Sequence, residues 1–286
     1  MSYRKIARLT GISKSRVQRI CLEELERLPK NNQFTFNHCN QFSKIFEFDA
    51  KYINILGFEK KQAFLWGVDY VYHDFPIILL AHSESYRAWA TFFEYFRILN
   101  HYPEYLVCDD NSPLKIAARH KFPKVKIQTC TNHFSEKVRR HLRVRSNDKY
   151  KEFSKGIDHL LSVKRSTKDF NKVLFTLFEK YKKDPVALQI IVELGKRRKE
   201  FLAFQGIRGA PTTTNMIESF NSHLESRLKS LHHFYSFRHA KLWLNAYVLK
   251  RRYTEFVSCK GKFKHLNGKT PLQQTKKPDV DLPPLF

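Results

Sequence analysis

Between residues 44 and 129 the chain keeps changing period, and that change limits the folds open to it. Residues 44–55, 62–72 and 76–82 are short apolar or alternating runs, which predict three strands joined by connections containing Gly57 and Asp74. Residues 84–100 switch to helical spacing, with Tyr86, Trp89, Phe92, Phe93 and Phe96 on one stripe. A strand at 105–109, a helix at 113–121 and a strand at 124–129 follow. A meander of three strands, then helix, strand, helix, strand, is the order of an α/β domain with a mixed sheet.

From residue 134 to 204 the pattern is helical without interruption, at 134–145, 150–162, 167–182 and 186–204, which reads as an all-α insertion. Pro211 and three threonines then start a helix whose buried stripe is Met216, Ile217, Phe220, Leu224, Leu228 and Leu231. A long aromatic helix is expected at 236–256. At the other end, residues 3–20 read as helix, tight turn at Gly11 and second helix capped by Ser13. This divides the chain into a partial helix-turn-helix segment (1–28), a polar linker (29–43), the first part of a core (44–133), the insertion (134–210), helices completing the core (211–256) and a basic, Pro-rich, poorly ordered tail (257–286). A helix-turn-helix module normally has a supporting helix upstream, so a truncated frame or a second chain is expected to account for its absence.

Charge indicates the partner. Lys and Arg number 52 against 27 Asp and Glu, a formal net charge of +25. Spread along the whole chain rather than gathered on one amphipathic helix, this excess favours nucleic acid over an anionic membrane. No apolar run of ~18 residues suggests a membrane span. Five widely spaced cysteines without a Cys-x-x-Cys pair argue for a reducing compartment, hence a cytoplasmic, nucleoid-associated protein. Lys14, Arg16, Gln18 and Arg19 on the second N-terminal helix suit phosphate and base-edge contacts in a major groove. Lys137, Arg139, Arg140 and Arg143 on the first insertion helix are either a solvated face or a further DNA contact.

Three acids stand where sheet topology could gather them. Alternation in the first strand puts Phe46 and Phe48 on one face and Glu47 and Asp49 on the other, and Asp109 ends the fourth strand. Ligands of open α/β sheets collect at strand ends. Glu218, one turn from Asn215 and Asn221 on the 211–234 helix, is either a capping residue on a solvated face or a third carboxylate for a hard divalent cation. Asp69 and Asp110 read as turn or surface residues, although Asp110 could exchange roles with Asp109. Cys130-Thr-Asn-His133 is half of a zinc spacing without a second half, and equally a small buried thiol beside a hydrogen-bonded histidine.

Taken together, Asp49, Val-Cys-Asp109, Cys130-x-x-His133 and Thr214-Asn215-x-x-Glu218-x-x-Asn221 resemble the DDE transposases of bacterial insertion sequences and their Mutator-like relatives. The resemblance covers roughly residues 44–256. It implies an RNase H-like α/β fold carrying an all-α insertion. It also implies that Asp49, Asp109 and Glu218 bind two Mg²⁺ ions, with Mn²⁺ as a substitute, and that Cys130 and His133 lie beside them. The expected activity is cleavage of double-stranded DNA at element ends and strand transfer into target DNA, by a homodimer or larger assembly. Two other functions share these residues: a transposase-derived or truncated DNA-binding protein without catalysis, and an RNase H-like nuclease.

Overall fold

A computed structural model describes residues 3–231 and 233–286. Helices α1 (Tyr3–Thr10), α2 (Lys14–Arg27) and α3 (Asn31–His38) precede strands β1 (Ile45–Ile53), β2 (Gln62–Asp69) and β3 (Ile78–Ala81). Next come α4 (Tyr86–Ile98), β4 (Tyr105–Cys108), α5 (Ser112–Lys121) and β5 (Lys126–Thr129). Helices α6 (Thr131–His141), α7 (Lys151–Ser162), α8 (Thr167–Tyr181), α9 (Pro185–Lys196) and α10 (Arg198–Phe201) form the insertion, and α11 (Asn215–Lys229), α12 (Phe237–Tyr253) and α13 (Pro271–Thr275) close the chain.

The sheet runs β3-β2-β1-β4-β5, with β1 antiparallel to β2, β2 antiparallel to β3, and β1, β4 and β5 parallel. This is the expected RNase H-like α/β sheet. Alternation along β1 sorts its two faces. Phe46 and Phe48 pack with Trp89, Phe92, Phe93 and Phe96 of α4 in one buried cluster. Glu47 points to the other face, where Phe64, Trp66 and Val68 meet Ile217 and Leu224 of α11 and Leu244 and Val248 of α12. Gly67 sits opposite Phe48 in the β1–β2 register, and a Cβ there would run into the Phe48 ring.

The insertion closes over a core of its own, including Phe153, Ile157, Leu160, Phe170, Leu194 and Phe201. The helix expected at 186–204 is broken at Arg197, whose guanidinium turns back onto Asp110, Glu193 and Glu200 at 2.6, 2.7 and 3.0 Å. Lys115 joins the same group at 3.1 Å from Asp110 and 2.8 Å from Glu200. These partners hold both carboxyls well below their ordinary range against the opposing effect of burial, Glu200 at about 2.

Two segments differ from their sequence reading. Residues 29–43, expected to be a polar linker, contain α3, with Phe34 buried and Asn31 and Thr35 facing inward. The tail beyond residue 256, expected to be poorly ordered, contains a 3₁₀ turn, Gly261–Leu266, and α13, which bury Leu266 and Leu272. One buried cation explains both. Arg252 of α12 is fully buried, pairs with Asp74 at 2.6 and 2.8 Å, and donates to Asn31 at 2.9 Å and Thr35 at 2.7 Å. The Thr275 hydroxyl of α13 donates to the same Asp74 carboxylate at 2.6 Å. A buried guanidinium must be paired and hydrogen-bonded, so the polar residues of both segments are spent inside the fold.

Candidate active site

The site forms where β1, β4 and α11 meet. Parallel pairing sets Ile45 beside Tyr105, Phe46 beside Leu106 and Glu47 beside Val107. Carried two residues further, this register sets Asp49 beside Asp109. Burial, and next the charge of Asp109, push the Asp49 carboxyl up to about 7. A buried acid whose ionisation a neighbouring carboxylate opposes suits a cation, which would reverse that cost.

Helix α11 is fixed to the sheet by its own first turn. Glu47 accepts the Ile217 backbone N–H at 2.9 Å, satisfying one of the donors that a helix N-terminus leaves free. This contact aims Glu218 at the strand ends. One turn on, the Asn221 amide donates to Asp49 at 2.5 Å and accepts from the Trp66 indole N–H at 3.1 Å. Asn221 therefore orients Asp49 rather than Glu218. Asn215 accepts from Asn132 at 2.9 Å and ties α11 to α6.

His133 stands between the acids. Its Nδ1 lies 2.7 Å from Asp109, 3.3 Å from the Cys130 sulfur, 3.3 Å from the Thr214 hydroxyl and 3.5 Å from Glu218. Asp109, first, and Cys130, second, raise its pKa well above the imidazole range, so it is an imidazolium. The Asp109 contact is close but poorly directed: its Oδ1 is buried without a hydrogen-bond partner. Thr214 is 2.5 Å from Glu218 and 3.2 Å from Cys130, and its single proton serves the nearer carboxylate.

Among the described residues the cluster of three metal-type ligand atoms is Asp109, Cys130 and His133, within 4.8 Å of one another. Cys130 is buried, and its sulfur accepts the Thr214 backbone N–H at 3.4 Å. Asp110 is held by Lys115, Lys137 and Arg197. Asp69 accepts from Ser43, Val71 and Tyr72 in the turn after β2. Glu225 pairs with Lys51 at 2.5 Å. Of the three acids predicted for the site, Asp109 and Glu218 face His133 at 2.7 and 3.5 Å, and Asp49 is held by the Asn221 amide. Glu47, Trp66 and Thr214 also hold the site together; only their packing partners, distant in sequence, reveal that.

The basic residues expected to meet DNA are divided. Lys14, Arg16 and Arg19 are exposed and Gln18 half-exposed on α2, which packs through Val17 and links to α12 by a Glu26–Arg238 pair at 2.6 Å. On α6, Lys137 is paired with Asp110 at 2.9 Å and Arg139 with Asp158 at 3.1 Å, whereas Arg140 and Arg143 are exposed.

Asp49 within β1, Asp109 just after β4 and Glu218 on α11 thus lie beside the Cys130-x-x-His133 turn of a mixed sheet. The family model "Transposase, Mutator family" matches residues 3–256, and the chain belongs to that family. Among curated proteins no relative matches. Among solved structures, the catalytic core domain of HTLV-2 integrase, in a trimeric form with magnesium, is similar at 14% identity and a TM-score of 0.26, over 53% of this chain and 97% of that one. No described helix is long and apolar enough to cross a membrane.

Proposed function

We propose that this transposase cuts double-stranded DNA at the ends of its element and joins the freed 3′-hydroxyl to target DNA. The observation that carries the reading is the placing of Asp109 and Glu218 on either side of the His133 nitrogen, with Asp49 held by the Asn221 amide beside Asp109. In the first step a water oxygen attacks the scissile phosphorus and the 3′-oxygen leaves with the bonding pair. In the second, that 3′-hydroxyl attacks a target phosphorus and displaces the target's own 3′-oxygen, so no protein–DNA bond is needed.

All three carboxylates offer oxygen, the donor that Mg²⁺ and its substitute Mn²⁺ prefer. A pair of such ions would polarise the attacking oxygen and offset charge on the leaving one. Asn221 keeps Asp49 in one rotamer, Glu47 holds the first turn of α11, and His133 stands between Asp109 and Glu218. The exposed cations of α2 and Arg140 and Arg143 suit duplex phosphates. Two element ends served by one site per chain call for at least two copies on DNA, and a DNA substrate fits a cytoplasmic, nucleoid-associated location.

The test is nicking of end-containing DNA with Mg²⁺. Asp49→Asn, Asp109→Asn and Glu218→Gln should each abolish cleavage while retaining salt-dependent DNA binding. Wild-type activity in all three variants would discard the site. Binding without cleavage by the wild type would select a non-catalytic protein, and preference for junctions or RNA–DNA hybrids would select a nuclease.

A further inference from the structure

Across α11 from Glu218, a cleft of about 1180 Å³ opens between α11, α12 and the segment 254–263. Its inner end holds His73, only 7% exposed, whose Nε2 is buried without a partner. Burial, first, and Arg251, next, lower this imidazole to about 4, so it is neutral and offers a donor or an acceptor according to tautomer. A buried polar nitrogen left unpaired is costly, and His73 is one of the residues lining the cleft. The walls are aromatic. The Arg251 guanidinium lies over the Phe220 and Phe256 rings at 5.3 and 4.6 Å, and Trp243 and Tyr247, both half-exposed, stack at 5.6 Å with an interplanar angle of 9°.

The cleft is also cationic. Arg227, Lys250 and Arg251 line it, and among the described residues none is paired with a carboxylate. Two acids line it as well: Glu255, and Glu47, whose oxygen is committed to the Ile217 N–H. A flat aromatic wall, one buried hydrogen-bonding nitrogen and unpaired cations match an occupant that is planar, polar along one edge and anionic.

We propose that this cleft receives one unpaired nucleotide of the bound DNA, its base on the aromatic wall with an edge toward His73 and its phosphates near Arg227, Lys250 and Arg251. The proposal rests on the transposase reading for its source of DNA. Helix α11, about 10 Å across with its side chains, separates the cleft from Glu218. A nucleotide held there would lie within a few steps of the cut strand.

The test uses the full chain in EDTA, so that cleavage plays no part. Trp243 is the reporter, because Trp66 and Trp89 are buried. A short duplex with one unpaired terminal adenosine is compared with the same duplex abasic at that position and with a blunt duplex. The adenosine duplex should bind at least about fivefold more tightly than the abasic one, the scale of a single base–aromatic stack, and should quench Trp243. Tyr247→Ala should remove that preference. Equal affinity of wild type for the adenosine and abasic duplexes overturns the proposal, as does a preference that survives in Tyr247→Ala. The wild-type comparison stands even if the variant misfolds. Nicking without an unpaired-base preference would sink the cleft alone, and the preference without nicking would sink the catalytic reading alone.

Discussion

The indole N–H of Trp66 can donate but not accept, so the Asn221 amide that it holds presents its oxygen to Trp66 and its NH₂ to Asp49. Trp66 is 1% exposed and cannot swing away. Asn221→Asp would set a carboxylate against Asp49 in place of a donor. Loss of such an outer partner typically costs 10–100-fold in metal affinity or activity. The expected outcome is a cleavage rate lower by that factor and a higher Mg²⁺ requirement at an unchanged melting temperature; a variant with the wild-type Mg²⁺ dependence would remove Asn221 from the site. That Asp49 and Asp109 could be neighbours was legible in the sequence because strand alternation and strand ends are local patterns; Glu218, on a helix, stood out only through the family resemblance. The hydrogen bonds that hold these acids were not legible. Trp66 meets Asn221 across 155 residues and Glu47 meets Ile217 across 170, and no spacing rule reports contacts of that range. His133 was visible as part of a motif, but its place between Asp109 and Glu218 was not.

At the scale of elements, α3 and α13 show why composition misleads. Asn31-Asn32-Gln33 reads as solvated linker because amides are mostly exposed, yet Asn31 is 1% exposed and donates to the carbonyls of Phe75 and Pro76. What draws these amides inside is Arg252, fully buried near the end of α12. Asp74→Ala would leave its guanidinium buried and without a counter-charge, a change that costs about 3–5 kcal/mol. Thr275→Val removes only a hydroxyl hydrogen bond, on the order of 1 kcal/mol. Urea unfolding should rank the two in that order, and equal effects would mean that the buried pair is not what fastens α3 and α13 to the sheet. The strands and α4, by contrast, were readable because their apolar periods match their burial, as Trp89, Phe92, Phe93 and Phe96 illustrate.

For the whole molecule, buried titrating groups set a preferred pH. Burial raises Glu47 from 4.5 to about 8 and Asp69 from 3.8 to about 6. Such acids take up protons on folding, so their contribution is complete below the unfolded values and is lost as pH rises through the folded ones. Burial lowers His73 and His101 from 6.5 to about 4; their contribution is complete above 6.5 and is lost as pH falls toward 4. These four groups therefore withdraw their stability toward about pH 4 on the acid side and toward about pH 8 on the alkaline side. Glu47→Gln keeps an acceptor for Ile217 but cannot ionise, so it should flatten the alkaline limb and leave the acid limb alone, as read from guanidinium midpoints across the range. An alkaline limb identical to that of the wild type would show that Glu47 does not titrate there.

The position of α11 late in the chain also acts in time. Asp109 and Glu218 are 218 − 109 = 109 residues apart, and at roughly 5–20 residues per second of synthesis the ribosome makes the strands many seconds before the helix that completes the site. The Ile217 N–H that fastens this helix to Glu47 is delivered equally late. A nascent chain thus presents Asp49 and Asp109 well before the helix that carries Glu218 has been made.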